Sequence, residues 1–186
     1  MGAVSTPRSV ASARRFLAIP LPNALRATLL AIAPVAASGV RPVDPDGLHL
    51  TLHFLGDVEP GLVSAALADL RLDPFELELR GVGQFTPATG DTVLWAGVAA
   101  HAALTRLHED LGQRLRGAGL RTESRPYAPH LTLARCAPRV SKALIEEWLH
   151  AQHDLGPLSW PVSTLHLYRS ERVAQQSPRY VVEATW

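Results

Sequence analysis

Thiols are almost missing from this chain: Cys136 is its one cysteine. An intramolecular disulfide is thereby excluded, and a structural zinc site built on cysteine lacks ligands. Such a chain suits a reducing cytosol, where Cys136 reads as a small buried hydrophobe. Lysine is equally scarce. Lys142 stands alone at the start of an expected helix, and no glycine-rich loop carries a lysine. That argues against a nucleotide-dependent ligase or kinase, which needs a lysyl–nucleotide site or a phosphate loop. Net charge is also slight, at +1, so no broad basic field prepares the molecule for a long nucleic acid. Contact with one is expected to be local, at a phosphate in a cleft. No apolar run reaches the ~18 residues of a membrane helix. One stretch imitates an export signal, Ala13-Arg14-Arg15-Phe16-Leu17 with apolar residues to Ala37, but Pro20, Pro22, Asn23 and Arg26 interrupt it. A strand followed by a helix explains those residues without export. The expected location is cytoplasmic, with no membrane partner.

The 186 residues suit one domain or two joined halves with a common core, and the 15 prolines and 13 glycines are spread as turns along the chain. Residues 1–12 read as a flexible tail and 13–186 as a single bilobal domain. Within it, Arg15 to Pro20 is an expected strand and Ala24 to Ala37 a helix. Leu48 to Leu55 is a strong strand, and Pro60 to Leu70 a second helix. Phe75 to Val82 and Thr92 to Val98 form an expected antiparallel pair. A helix over His101 to Arg116 carries Leu104, Leu107, Leu111 and Leu115 on one stripe. His130 to Arg135 is the second strong strand. A helix over Ser141 to His150 takes Ser141 as its N-cap, and Leu165 to Arg169 and Arg179 to Ala184 close the chain as strands. The order predicts an α+β fold with two antiparallel sheets flanked by helices in a pseudo-twofold arrangement, and a groove between them. A break near Gly90 would separate the halves, unless the C-terminal strands pair back into the first sheet.

The tetrapeptide His-Leu-Thr-Leu occurs twice, at His49 to Leu52 and at His130 to Leu133. Strand side chains alternate faces, so each copy sets an imidazole beside a hydroxyl on one face and two core leucines on the other. A pseudo-twofold axis would turn the two pairs toward each other. Such a site fits the in-line opening of a cyclic phosphodiester, which needs a base on the attacking water and an acid on the departing ribose oxygen. An imidazole titrates near ~6.5, so one can be neutral while its partner is charged. Each proton transfer contributes on the order of 10²–10⁴-fold. Thr51 and Thr132 can bind the non-bridging oxygens. No metal and no other cofactor is required. A zinc hydrolase using His49 and His53 is the metal alternative, but that spacing serves a helix, and these residues fall in a strand. His53 shares strand parity with His49 and reads as a solvated, half-exposed side chain, with a place at the groove edge as the alternative.

These motifs and their flanks resemble the 2H phosphoesterases, and specifically the bacterial RNA 2′,3′-cyclic phosphodiesterases also called 2′-5′ RNA ligases. The likeness runs from Arg15 to the C-terminus. It is carried by Arg15-Phe16-Leu17-Ala18-Ile19, Leu48 to Val58, Trp95-Ala96-Gly97-Val98, Tyr127-Ala128-Pro129-His130 to Arg135, Leu167 to Ser170 and Tyr180. The resemblance implies hydrolysis of a terminal 2′,3′-cyclic phosphate to a 2′-phosphomonoester. In it, His130 activates water, His49 protonates the 3′ oxygen, and Thr51 and Thr132 hold the phosphate. It further implies reverse joining of RNA ends and Arg135, which ends the second motif, as a phosphate contact. Tyr127, just before that motif, is a candidate substrate contact, and Phe16 is either a groove residue that stacks a base or a core aromatic. Strict alternation sets Arg135 on the leucine face, so its strand must twist or end there. Expected partners are RNA 3′ ends or small cyclic-phosphate nucleotides, and a monomer is the default. A non-catalytic nucleotide or RNA-end binding protein on the same fold is the alternative.

Overall fold

Each His-Leu-Thr-Leu segment opens a strand whose leucines are sealed: Leu50, Leu52, Leu131 and Leu133 are all buried. The computed structural model describes residues 14–171 and 178–186; the expected tail at 1–12 lies outside them. In chain order the elements are β1 (Arg14–Pro20), α1 (Asn23–Ile32), β2 (Val40–Pro42), a 3₁₀ turn (Pro45–Gly47), β3 (His49–Gly56), α2 (Pro60–Ala66), β4 (Phe75–Phe85) and β5 (Thr92–Val98). Next come α3 (Ala102–Gly117), β6 (His130–Cys136), α4 (Lys142–Ala151), β7 (Leu158–Val162), β8 (His166–Glu171) and β9 (Arg179–Thr185). The strands form two antiparallel sheets, ordered β3-β1-β8-β9 and β2-β6-β5-β4-β7. The expected α+β architecture is therefore the one observed.

The helices form where apolar spacing asks for them. On α3 the expected stripe of Leu104, Leu107, Leu111 and Leu115 is buried. Ser141 caps α4, its Oγ accepting from the Leu144 amide at 3.2 Å, and so satisfies one N-terminal donor. Helix α1 stops at Ile32, five residues short of the expected end, because Pro34 disfavours helix at Ala33. Strands β2 and β7 were not expected. Both lie at a sheet edge and both contain a proline, Pro42 or Pro161, which an edge tolerates because its missing N–H faces no partner.

The sheets do not follow the halves of the sequence. Gly90 lies between β4 and β5, two paired neighbours of the second sheet, so no break occurs there. Strands β8 and β9 return to the first sheet, where β8 pairs β1. One continuous apolar cluster joins both sheets, with Leu17, Ile19 and Leu50 from the first and Leu77, Leu131 and Trp160 from the second. Arg14 to Ile32, the segment that imitates an export signal, supplies an inner strand and a packed helix of this fold.

Candidate active site

The two motif strands share a register down to their irregularities. In β3 the pairs with β1 run Pro20↔His49, Ile19↔Leu50, Ala18↔Thr51, then skip Leu52 to reach Leu17↔His53 and Phe16↔Phe54. In β6 the pairs with β5 run Gly97↔His130, Ala96↔Leu131, Trp95↔Thr132, then skip Leu133 to reach Leu94↔Ala134 and Val93↔Arg135. Each motif thus ends in a bulge at its second leucine, and a bulge inverts the parity of the residues beyond it. The burial of the two strands is correspondingly identical over the first six residues, with the sixth, Phe54 or Arg135, exposed.

The bulges bear on two expectations. Arg135 comes onto the His130–Thr132 face, because the bulge supplies the twist that strict alternation lacks. His53 goes the other way. It is 2% exposed, on the core side, with Nε2 2.8 Å from the His108 carbonyl. A carbonyl only accepts, so Nε2 carries the proton. His49 and His53 therefore stand on opposite faces and do not form a metal-binding pair.

His49 lies in an aromatic nest on the first sheet. Its ring stacks on Phe16 at 4.6 Å and lies 5.7 Å from Tyr168, while Tyr180 meets it edge-on at 5.1 Å. Of the two readings open for Phe16, groove surface or core aromatic, its 3% exposure matches the second, and it backs His49. This enclosure pushes the His49 pKa down to about 4, because burial disfavours imidazolium; the Gly47 backbone acts weakly in the other direction. Nδ1 is buried and makes no hydrogen bond.

His130 is differently placed. Its Nδ1 donates to the Ala128 carbonyl at 2.8 Å, which leaves Nε2 with the lone pair of the neutral ring. Phe85 meets this ring edge-on at 4.8 Å and lies 5.2 Å from Trp95. Trp95 pairs Thr132 in register, and its indole lies flat over Gly83, where a Cβ would come within 2.3 Å of the ring. Glycine is required there for close approach.

One hydrogen bond joins the segments that carry the two motifs. Tyr127, three residues before His130, donates its hydroxyl to the Thr51 carbonyl at 3.3 Å. Burial pushes the Tyr180 hydroxyl up, and the Arg135 guanidinium, from the other sheet, opposes that effect. Thr51 and Thr132 are half-buried, each on the face of its histidine. Sequence reading missed Phe54, Phe85, Tyr168, Tyr180 and Trp95 as neighbours of the site. The available signal was cross-strand parity, since Tyr168 pairs Phe16 and Phe85 pairs Val93. Among the described residues no three His, Cys, Asp or Glu side chains converge as a metal-ligand set.

Comparison with known proteins gives the same picture. A Geobacillus stearothermophilus protein named RNA 2′,3′-cyclic phosphodiesterase is 35% identical over 64% of this chain, and the match spans 41% of that protein's length. A Thermus thermophilus protein of the same name is 34% identical over 91% of this chain and 87% of its own. The crystal structure of Escherichia coli LigT with 3′-AMP superposes with a TM-score of 0.73 at 28% identity, covering 95% of this chain and 98% of that one. The sequence profile described as "2′-5′ RNA ligase superfamily" matches residues 21–174, from the end of β1 past both motifs. With the paired motifs, the two sheets and the profile in agreement, this chain belongs to the 2′-5′ RNA ligase superfamily.

Proposed function

We propose that this chain hydrolyses the terminal 2′,3′-cyclic phosphate of RNA, or of a small nucleotide, to a 2′-phosphomonoester, with His49 and His130 as acid and base. The observation that carries this reading is the repeated bulged register, which presents a His–Thr pair from each sheet on the same kind of face. The names of the relatives point to the same activity.

His130 Nε2 takes a proton from water as its oxygen attacks phosphorus. The P–O3′ bond breaks in line, and His49 gives its proton to the departing O3′. Thr51 and Thr132 donate to the non-bridging oxygens, and Arg135 offsets their charge. The Ala128 carbonyl suits His130 to the role of base, since it fixes the tautomer in which Nε2 accepts. With a 5′-hydroxyl in place of water, the same pair opens the cyclic phosphate into a 2′-5′ linkage, the P–O3′ bond breaking as before. Chemistry by imidazole alone needs no cation, so turnover survives chelation by EDTA.

Product identification tests the reaction directly. Incubation with adenosine 2′,3′-cyclic phosphate and with a short RNA bearing that terminus is expected to yield the 2′-phosphate. Release of the 3′-phosphate would reverse the leaving group and overturn the assignment. Binding without turnover would favour the non-catalytic alternative.

A further inference from the structure

His53, His108 and Tyr127 lie outside the proposed chemistry, yet together they connect its two halves. The His53 ring, buried behind β3, stacks on the His108 ring of α3 at 4.2 Å. His108 in turn stacks on Tyr127 at 4.0 Å, with the planes only 7° apart. Tyr127 then donates to the Thr51 carbonyl, two residues from where the path began. The path is closed: Thr51, His53, His108, Tyr127 and back to Thr51. It includes the first motif strand, and Tyr127 begins the segment whose Ala128 carbonyl orients His130.

The setting makes this more than close packing. Strand β3 is at an edge, hydrogen-bonded to β1 alone, so the Tyr127 hydroxyl does for Thr51 what a neighbouring strand would otherwise do. Room for His53 is provided by Gly112, where a Cβ would sit 3.3 Å from Cε1 of the ring. On its other side the stack borders a cavity of about 450 Å³ lined by His101, Leu104, His108, Tyr127 and Pro129.

We infer that His108 and Tyr127 are positioning residues, which fix the Thr51 and His130 segments relative to each other through the stack on His53. The inference rests on the reaction proposed above, deepens it, and gives Tyr127 a role other than contact with substrate. Truncation of the stack is expected to slow the chemical step while leaving ligand binding in place.

The test is a kinetic series on adenosine 2′,3′-cyclic phosphate with Tyr127→Phe, His108→Ala, His108→Phe and the double variant His108→Ala/Tyr127→Phe. Tyr127→Phe and His108→Ala are each expected to lower kcat about 3- to 10-fold, the worth of one neutral hydrogen bond, with KM within about 2-fold. His108→Phe keeps the stack and is expected within about 2-fold of wild type. The double variant is expected to be no worse than the more damaged single, because both break one connection. Additive losses, a rise in KM instead of a fall in kcat, or a His108→Phe variant as poor as His108→Ala would overturn the inference. If His108→Ala does not fold, Tyr127→Phe and His108→Phe still decide. The imidazole NMR signals of the ligand-free protein supply a readout independent of turnover. Tyr127→Phe is expected to move those of both His49 and His130; if either stays in place, the coupling is refuted. A wild type that opens no cyclic phosphate would instead sink the proposed reaction, and the resonances would still judge the coupling.

Discussion

Burial holds the His49 pKa down at about 4 in the protein alone, so at neutral pH the ring is uncharged and a poor acid. The proposed acid must be charged by its substrate. A phosphodiester anion at roughly 5 Å, in an effective dielectric of ~20, favours imidazolium by about 3 kcal/mol, or ~2 pKa units. That nearly offsets the cost of burial. The His49 pKa is accordingly expected to rise from about 4 toward ~6 when adenosine 2′-phosphate binds, with uptake of a proton near pH 5. NMR titration of the imidazole with and without ligand measures this, and a value that stays low in the complex would remove His49 from the role of acid. At this scale the His–Thr pairs were legible, because alternation over three residues suffices to read them. His53 was not, and Arg135 only on the condition that its strand twists. The bulge that separates them from their motifs has no side-chain signature, since Leu52 and Leu133 are buried as any inward leucine would be.

Among the elements, the strands that carry the motifs were readable because alternation and β-branched or aromatic neighbours coincide there. Strands β2 and β7 escaped for the opposite reason: three and five residues with a proline in each look like loop. Trp95 shows how one element sets the shape of another. Its ring can lie across β4 only because Gly83 has no side chain, and this seats Phe85 beside His130. Gly83→Ala is expected to destabilise the fold by about 1–3 kcal/mol through overpacking. Gly61→Ala, in α2 with nothing within 4 Å, is expected to be neutral or slightly stabilising. Denaturant midpoints compare the two, and equal shifts would show that the Trp95 contact carries no strain.

For the molecule as a whole, pseudo-symmetry was visible in the order of elements but only partly placed in space. The repeat suggested two sheets drawn from two halves, or a return of the C-terminal strands to the first sheet; β8 and β9 do return, and β2 crosses unforeseen to the second. Chain order cannot show such exchange, because antiparallel strands of similar composition pair equally well with either neighbour. The exchange has a functional consequence. It ties both motifs into one core and leaves edge strand β3 to be completed from the second motif by Tyr127. In the proposed reaction, imidazoles from different sheets act on one phosphorus atom, so neither should suffice without its partner. Turnover of adenosine 2′,3′-cyclic phosphate by His49→Ala, His130→Ala and the double variant measures this most directly. Each single substitution is expected to cost at least ~10²-fold in kcat, and the double variant little more than the worse single. Near-wild-type turnover in either single variant would contradict the two-histidine site.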